Sequence, residues 1–345
     1  MNKRTLKILE FDKVINKLSD LTSSQLGREL IEKMVPSNNI TTVKDMLKET
    51  DDGVKYIIRR GNPSLGGIRD IRDSLRRVDI GAVLSLGDLL QISDVLRLCR
   101  NLKAHSSEDR KANEEENTVS ELINLLETNK RIEDKISHSI LNEEELADDA
   151  SPLLNSIRKQ IRDRQESIKD KLNGILKSAQ YQKYMQESIV TIRAGRYVIP
   201  IKQEYRSEVH GLVHDSSASG ATIFIEPMSV VEANNNIKQL QLKEQHEIER
   251  ILTELTVDVA GILPQLKSNM SLLARLDFIL AKANFNLKYD GVIPKLNVEG
   301  KIFIKKGRHP LLAPEIVVPI DFWIGDEFSS LIITGPNTGG KTVTL

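Results

Sequence analysis

Ser151-Pro152-Leu153-Leu154-Asn155-Ser156-Ile157-Arg158-Lys159-Gln160-Ile161 sets the architecture of the chain. A serine followed by a proline starts a helix. The hydroxyl can accept from the unpaired N–H groups of the first turn, and proline's fixed φ and missing N–H suit the first helical position. From there Leu154, Ile157, Ile161, Ile168, Leu172, Ile175 and Ala179 recur at steps of three, four or seven. That stripe is as narrow as the seam of a coiled coil. It predicts one helix of about 35 residues, roughly 50 Å long at ~1.5 Å per residue.

Beyond Glu187 the period changes. Ile189-Val190-Thr191-Ile192, Tyr197-Val198-Ile199-Pro200-Ile201, Gly211-Leu212-Val213-His214 and Ala221-Thr222-Ile223-Phe224-Ile225 read as four short strands. The loops Ala194-Gly195-Arg196 and Ser216-Ser217-Ala218-Ser219-Gly220 separate two of the pairs. Helical spacing then returns in Ile237, Leu240, Ile248, Ile251, Leu255, Val259, Ile262 and Leu266. Neither narrow stripe can bury itself alone, so the two helices are expected to pair as an antiparallel hairpin carrying a β tip. Two unrelated helices in a bundle are the alternative. The expected fold class is mainly α with a small β insertion. The expected divisions are a helical core over 1–150, an ascending helix over 151–187, the β insertion over 188–230, a descending helix with its return to the core over 231–290, and the start of an α/β domain over 291–345.

The first 107 residues read as helical. Leu6, Leu9, Val14 and Leu18 fall at helical spacing, as do Leu89, Leu90, Ile92, Val95, Leu96 and Leu98. Gly61-Asn62-Pro63 and Gly66-Gly67 mark loops, and Ser85 is placed to cap a helix starting near Leu86. Residues 108–117 are polar and read as a flexible acidic loop. The 49 basic and 49 acidic residues cancel, so net charge names no partner, but the charge is unevenly placed. Residues 108–149 hold 14 acidic and 5 basic side chains, whereas 151–196 hold 10 basic and 4 acidic, which offers one basic limb to a polyanion. Two solvated helix faces would give the same counts. Aromatic content of 4% argues against a binder that stacks single-stranded bases. The single cysteine, Cys99, rules out a disulfide within the chain and sits in an apolar helical stretch as a core residue. No apolar run approaches a membrane span and no signal-peptide core follows Met1, so no membrane partner is expected and the chain reads as cytoplasmic.

Past Pro294, Leu296-Asn297-Val298 and Lys301-Ile302-Phe303-Ile304 read as strands. Ser330-Leu331-Ile332-Ile333-Thr334 reads as a buried strand feeding Gly335-Pro336-Asn337-Thr338-Gly339-Gly340-Lys341-Thr342. That octapeptide fits the phosphate-binding loop G-x-x-x-x-G-K-[ST]. Gly335 and Gly340 permit a tight turn and close approach of an anion, and successive N–H groups then face the phosphates. Lys341 can reach the β- and γ-phosphates of ATP, and the Thr342 hydroxyl can ligate Mg²⁺. Only Val343-Thr344-Leu345 follow, without a second carboxylate for the metal. The chain is therefore expected to be part of a longer protein, with a phosphate cradle but no complete catalytic site, and to be inactive alone.

Together with Gly307-Arg308-His309-Pro310-Leu311-Leu312, the Pro-Asn within this loop resembles the MutS family of ABC-type ATPases. Arg193-Ala194-Gly195-Arg196-Tyr197-Val198-Ile199-Pro200, His214–Pro227 and Thr338 are similar to the bacterial paralogue branch that carries a C-terminal Smr nuclease domain. The resemblance implies a helical core, lever helices, a clamp at the β insertion and the opening of an ABC-type ATPase domain from 291 onward. It implies a homodimer that binds ATP and Mg²⁺ and closes around branched or double-stranded DNA to suppress recombination, with an endonuclease beyond Leu345. Some members of the branch act instead on stalled or collided ribosomes. The order of elements separates this chain from SMC-like ATPases, whose P-loop precedes the coiled coil, and a P-loop kinase would not need so long a helical arm.

His309, beside Arg308 and Pro310, reads as a surface turn or, as the resemblance implies, as a support of the adenine pocket, and the resemblance places Val317, Val318 and Pro319 near the base. Arg193, Arg196, Lys202 and Arg206 in the β insertion form a candidate phosphate-contacting set, with exposed strand charges as the plain alternative. His210 and His214 stand four apart in a strand context, a poor arrangement for a shared metal. Glu143–Glu145 with Asp148 and Asp149 read as a solvated acidic face.

Overall fold

The computed structural model describes residues 3–107, 117–313 and 315–334. The glycine-rich motif and most of the acidic 108–117 stretch lie outside them. In chain order the elements are α1 (Lys3–Ile8), α2 (Phe11–Ser19), α3 (Gln25–Glu32), α4 (Ile40–Arg60), α5 (Arg72–Asp79), α6 (Leu86–Ser107), α7 (Thr118–Leu125) and α8 (Lys130–Ser139). A small hairpin of β1 (Ile140–Asn142) and β2 (Glu145–Leu146) follows. Then come α9 (Pro152–Lys177), α10 (Ala179–Gln182), β3 (Thr191–Arg193), β4 (Arg196–Lys202), β5 (Gly211–Ser216) and β6 (Thr222–Pro227). The chain continues through α11 (Met228–Ala260), α12 (Leu263–Lys288), β7 (Ile302–Gly307) and β8 (Ile320–Ile324). The fold is mainly α with small antiparallel sheets. It divides into two compact units: one takes in the described residues of Met1–Ile80, Gln91–Glu133 and Ile262–Leu345, the other Gly81–Leu90 and Asp134–Gly261.

The first unit is assembled on α12, against which α2, α3, α4, α5 and α7 pack. Leu266, Met270, Leu273, Leu276, Ile279 and Leu280 of α12 are buried. Two buried polar side chains on the same helix fix the register of its neighbours. Asn269 accepts from the Glu127 N–H at 2.9 Å and donates to the Glu127 carbonyl at 2.7 Å. Asp277 accepts from the backbone N–H groups of Ser23 and Ser24, both at 2.9 Å, and from the Ser24 hydroxyl. Ser24 in turn caps α3 by accepting from the Gly27 N–H. A Cβ on Gly27 would lie 2.2 Å from the Asp277 carboxylate, so only glycine lets α3 approach α12 this closely. Cys99 of α6 is fully buried, as its apolar context implies.

In the second unit α9 and α11 pack along their stripes, with Ile157 and Ile161 against Leu240. The order of contacts shows that the helices run antiparallel. Ser151 meets Glu247, Arg158 meets Glu244, and Lys171 reaches the Ser229 carbonyl. Ser151 caps α9 by accepting from the Leu154 N–H at 3.0 Å, as the Ser-Pro start predicts. The sheet has the order β3-β4-β6-β5, with Ile199 opposite Ile225 and Ile201 opposite Ile223. Those side chains share one core with Ile168 and Leu172 of α9 and Val230 and Ile237 of α11. The sheet is therefore fused to one end of the hairpin.

The structure departs from expectation in three places. The first long helix stops at Lys177, which makes it 26 residues and about 39 Å long instead of roughly 50 Å. Ser178 takes an extended conformation, and Tyr184 and Met185 turn into the sheet's core, where burial repays the broken helix. Leu296-Asn297-Val298 is not a strand; β7 pairs instead with β8, which periodicity did not single out. Residues 330–334 form no strand with any described residue, and Ile332 is 85% exposed.

Lys282 on α12 offers a test of this packing. Its ammonium lies 4.3 Å from the centre of the Phe278 ring. Burial pushes its pKa down to about 8 from the usual 10.5, opposed by Glu49 of α4 and assisted by Arg275. The folded state thus binds the proton more weakly than the unfolded chain. Stability should rise between about pH 8 and 10.5 and carry the full penalty below that window. At ~1.4 kcal/mol per unit, less the ring contact, Lys282→Met should stabilise the protein by about 2 kcal/mol at pH 7. The gain should shrink toward pH 10.5, as read by urea unfolding at both pH values. A variant less stable than wild type at pH 7 would contradict the assignment.

Candidate functional site

Gly335, Pro336, Asn337, Thr338, Gly339, Gly340, Lys341 and Thr342 lie outside the described residues, so only the approach to the phosphate-binding motif has geometry. β7 and β8 pair antiparallel, with Phe303 opposite Trp323 and Ile304 opposite Phe322. The strand ends and the loop between them are held by local contacts. The Lys306 N–H donates to Asp321 Oδ1 at 2.7 Å, and Lys306 sits at φ 53°, a left-handed conformation. His309 forms a tight turn: its Nδ1 accepts from the Leu311 N–H at 3.2 Å, and its carbonyl accepts from the Leu312 N–H at 3.1 Å. Nδ1 as acceptor places the proton of a neutral ring on Nε2, which is left for another partner. Val317 is half-buried and Val318 exposed.

The β insertion shows what its cations already do. Glu226 at the end of β6 is completely buried. Its carboxylate accepts from the Arg196 guanidinium at 2.9 and 3.0 Å and from the Asn234 amide at 2.6 Å, and it pairs with His214. Arg196 also donates to Asn235 Oδ1 at 2.7 Å. A buried carboxylate needs such a shell, because leaving it unpaired costs several kcal/mol. Arg193 lies 4.3 Å over the Phe224 ring, with Asp215 at 3.4 Å. Among the described residues Lys202 reaches only the Lys183 carbonyl, at 3.5 Å, and exposed Arg206 leans on the carbonyls of Val209 and Gly211 at 3.4 and 3.3 Å.

The four do not form one patch. Arg196 and Lys202 stand at opposite ends of β4, about 20 Å apart at ~3.3 Å per residue. Arg196 belongs to the packing of sheet on α11, while Lys202 and Arg206 hold only weak contacts that phosphate could replace. His214 serves the same carboxylate as Arg196, and no group of metal-binding side chains occurs among the described residues.

α9 carries several cations without internal partners, and Lys238 and Lys243 of α11 are likewise exposed with no hydrogen-bond or ion-pair partner among the described residues. Lys159, Arg164, Lys169 and Lys177 are exposed and have no hydrogen-bond or ion-pair partner among the described residues. Arg158 and Arg162 of the same helix are taken up by Asp148. The excess of basic residues over 151–196 signalled this helix, but composition does not tell a paired arginine from a free lysine. Nothing in the sequence marked Glu226 as the anchor of Arg196, because the partnership forms only when β4, β6 and α11 meet.

No family profile matches the sequence. Curated relatives align along the whole chain. A protein of Acetivibrio thermocellus is 64% identical over 345 residues, one of Ruminiclostridium cellulolyticum is 60% identical, and one of Clostridioides difficile is 46% identical. Each of these relatives bears the name Endonuclease MutS2, and the chain spans 43–44% of their length.

Removing the guanidinium of Arg196 should strand the Glu226 carboxylate. Arg196→Ala is expected to lower unfolding stability by about 3 kcal/mol, whereas Arg206→Ala should stay within about 0.5 kcal/mol. Equal, small effects of the two in denaturant titrations would show that Arg196 does not hold the sheet.

Proposed function

We propose that this chain, which belongs to the MutS2 family, works as the nucleic-acid-engaging and ATP-binding part of an ATP-driven clamp. The observation that carries the reading is the stem of α9 and α11, with its fused sheet and its exposed cations, unpartnered among the described residues, four on α9 with Lys238 and Lys243 on α11. An antiparallel pair with a packed tip is a stiff limb, since stem and sheet share one core. Exposed ammonium and guanidinium groups that have no internal partner can meet backbone phosphates and release counterions. Lys159, Arg164, Lys169 and Lys177, with Lys202 and Arg206 of the sheet, form the proposed phosphate-contacting set. Arg193 and Arg196 chiefly position the sheet.

The motif at 335–342 supplies the nucleotide end. Its donor set suits Mg²⁺–ATP: backbone N–H groups and Lys341 face phosphate oxygens, and the Thr342 hydroxyl is a hard oxygen ligand for the metal. His309, Val317 and Val318 are proposed to border the base. In the full-length protein two copies would close around branched or double-stranded DNA and suppress recombination, with the nuclease in the remaining length. Among the described residues no helix is long and apolar enough to cross a membrane.

Two measurements on the full-length protein test this. Lys341→Ala should cut ATP turnover about tenfold or more, equivalent to ~1.4 kcal/mol or more of lost stabilisation. Replacing Lys159, Arg164, Lys169 and Lys177 together by glutamine should flatten the salt dependence of four-way-junction binding by about three to four units of slope, at ~0.9 per lost phosphate contact. Intact turnover in the first variant removes the ATP assignment. An unchanged slope, with ribosome co-sedimentation abolished in the same variant, moves the target from DNA to the ribosome.

A further inference from the structure

Residues 292–334, which lead into the phosphate-binding motif, contribute no buried side chain among those described. Apolar burial therefore does little to hold this block on the helices of its unit, and individual polar contacts matter more. One of them crosses from the beginning of the chain. Lys17 of α2 donates from Nζ to the Pro310 carbonyl at 3.0 Å and to the Tyr289 hydroxyl at 3.3 Å, with the ammonium 5.5 Å from the centre of the Tyr289 ring.

Each partner sits at a decisive place. Tyr289 follows the last residue of α12 and packs against Phe285, with ring centres 4.6 Å apart and planes tilted by 43°. Asp290 then turns with φ 49°, and the Gly291 N–H returns to the Asn286 carbonyl at 2.9 Å, so the chain leaves the helix at a fixed angle. Pro310 lies beside His309 in the loop between β7 and β8, and β8 runs on toward Gly335. Among the described residues no carboxylate pairs with Lys17, so its charge is spent on two neutral oxygens and a ring face.

We infer that Lys17 is a positioning residue: it latches the 308–312 loop to the end of α12 and so orients the nucleotide-binding block on the helices. The inference rests on the ATP-binding reading of residues 335–342. Without the latch the block samples more orientations, and ATP binding must order it. This raises the apparent KM while leaving the bound state's chemistry unchanged.

The test uses the full-length protein with Lys17→Ala, Lys17→Arg and Tyr289→Phe, followed by hydrogen exchange and ATPase kinetics. In Lys17→Ala, exchange at the Leu311 and Leu312 amides should quicken about tenfold, and KM for ATP should rise severalfold with kcat held within about twofold. Lys17→Arg keeps the cation and should restore both, while Tyr289→Phe keeps the ring and should fall between. Unchanged exchange in Lys17→Ala overturns the latch. Faster exchange with an unchanged KM overturns the positioning role. If wild-type protein binds no ATP, the nucleotide reading fails by itself, and the exchange of the three variants still decides whether the latch exists.

Discussion

A helix with one narrow apolar stripe cannot remain single in water, and the second unit is built on that constraint. Leu154, Ile157, Ile161, Ile168 and Leu172 of α9 are buried on one side. Val230, Ile237 and Leu240 of α11 make the matching side, while Ile251, Leu255 and Val259 are buried past Glu247, beyond the start of α9. Joining the two stripes removes both from solvent at once, so the intervening residues must begin and end at the same end of the pair. In the sheet, of order β3-β4-β6-β5, the two central strands β4 and β6 share their core with both helices. Polar contacts then choose one register from several that hydrophobicity would accept: Ser151 with Glu247, and Arg158 with Glu244 and Asp148.

Buried carboxylates recur as fixed points in both units. Asp277 gathers the turn before α3, Asp52 accepts from the N–H and hydroxyl of Thr118 at the start of α7, and Glu226 collects Arg196, His214 and Asn234. In each case a charge removed from water is matched by several donors, which specifies geometry more sharply than apolar contact does. This bears on function. A cation consumed in such a shell is unavailable to phosphate, so the groups able to meet a polyanion are those the fold leaves over. On α9 these are lysines and one arginine that face solvent, while the arginines nearest the stem's base are tied to Asp148.

The candidate site was legible unevenly. The basic character of 151–196, the four strands and the Ser151 cap were all visible, because local propensity and period encode them. The end of α9 at Lys177 was not, since the apolar spacing continues through Ala179 and only the sheet's need for Tyr184 and Met185 breaks it. β8 was missed although Ile320-Asp321-Phe322-Trp323-Ile324 is rich in β-branched and aromatic residues, a local strand signal, and it pairs with β7. The four arginines and lysines of the β insertion were legible as cations but not as partners of Glu226, Phe224 or neighbouring carbonyls.

By itself the sequence determined the helical stripes, the β interruption, the caps and the glycine-rich motif, because each depends on residues within one or two turns of one another. It also determined kinship, through short runs whose residue types are seldom matched by chance. Tertiary structure alone decided which charges are free and which are buried anchors, where α9 gives way to the sheet, and that Lys17 reaches a carbonyl 293 positions later. Those outcomes depend on desolvation and on contacts between segments distant in the chain, and neither has a local signature.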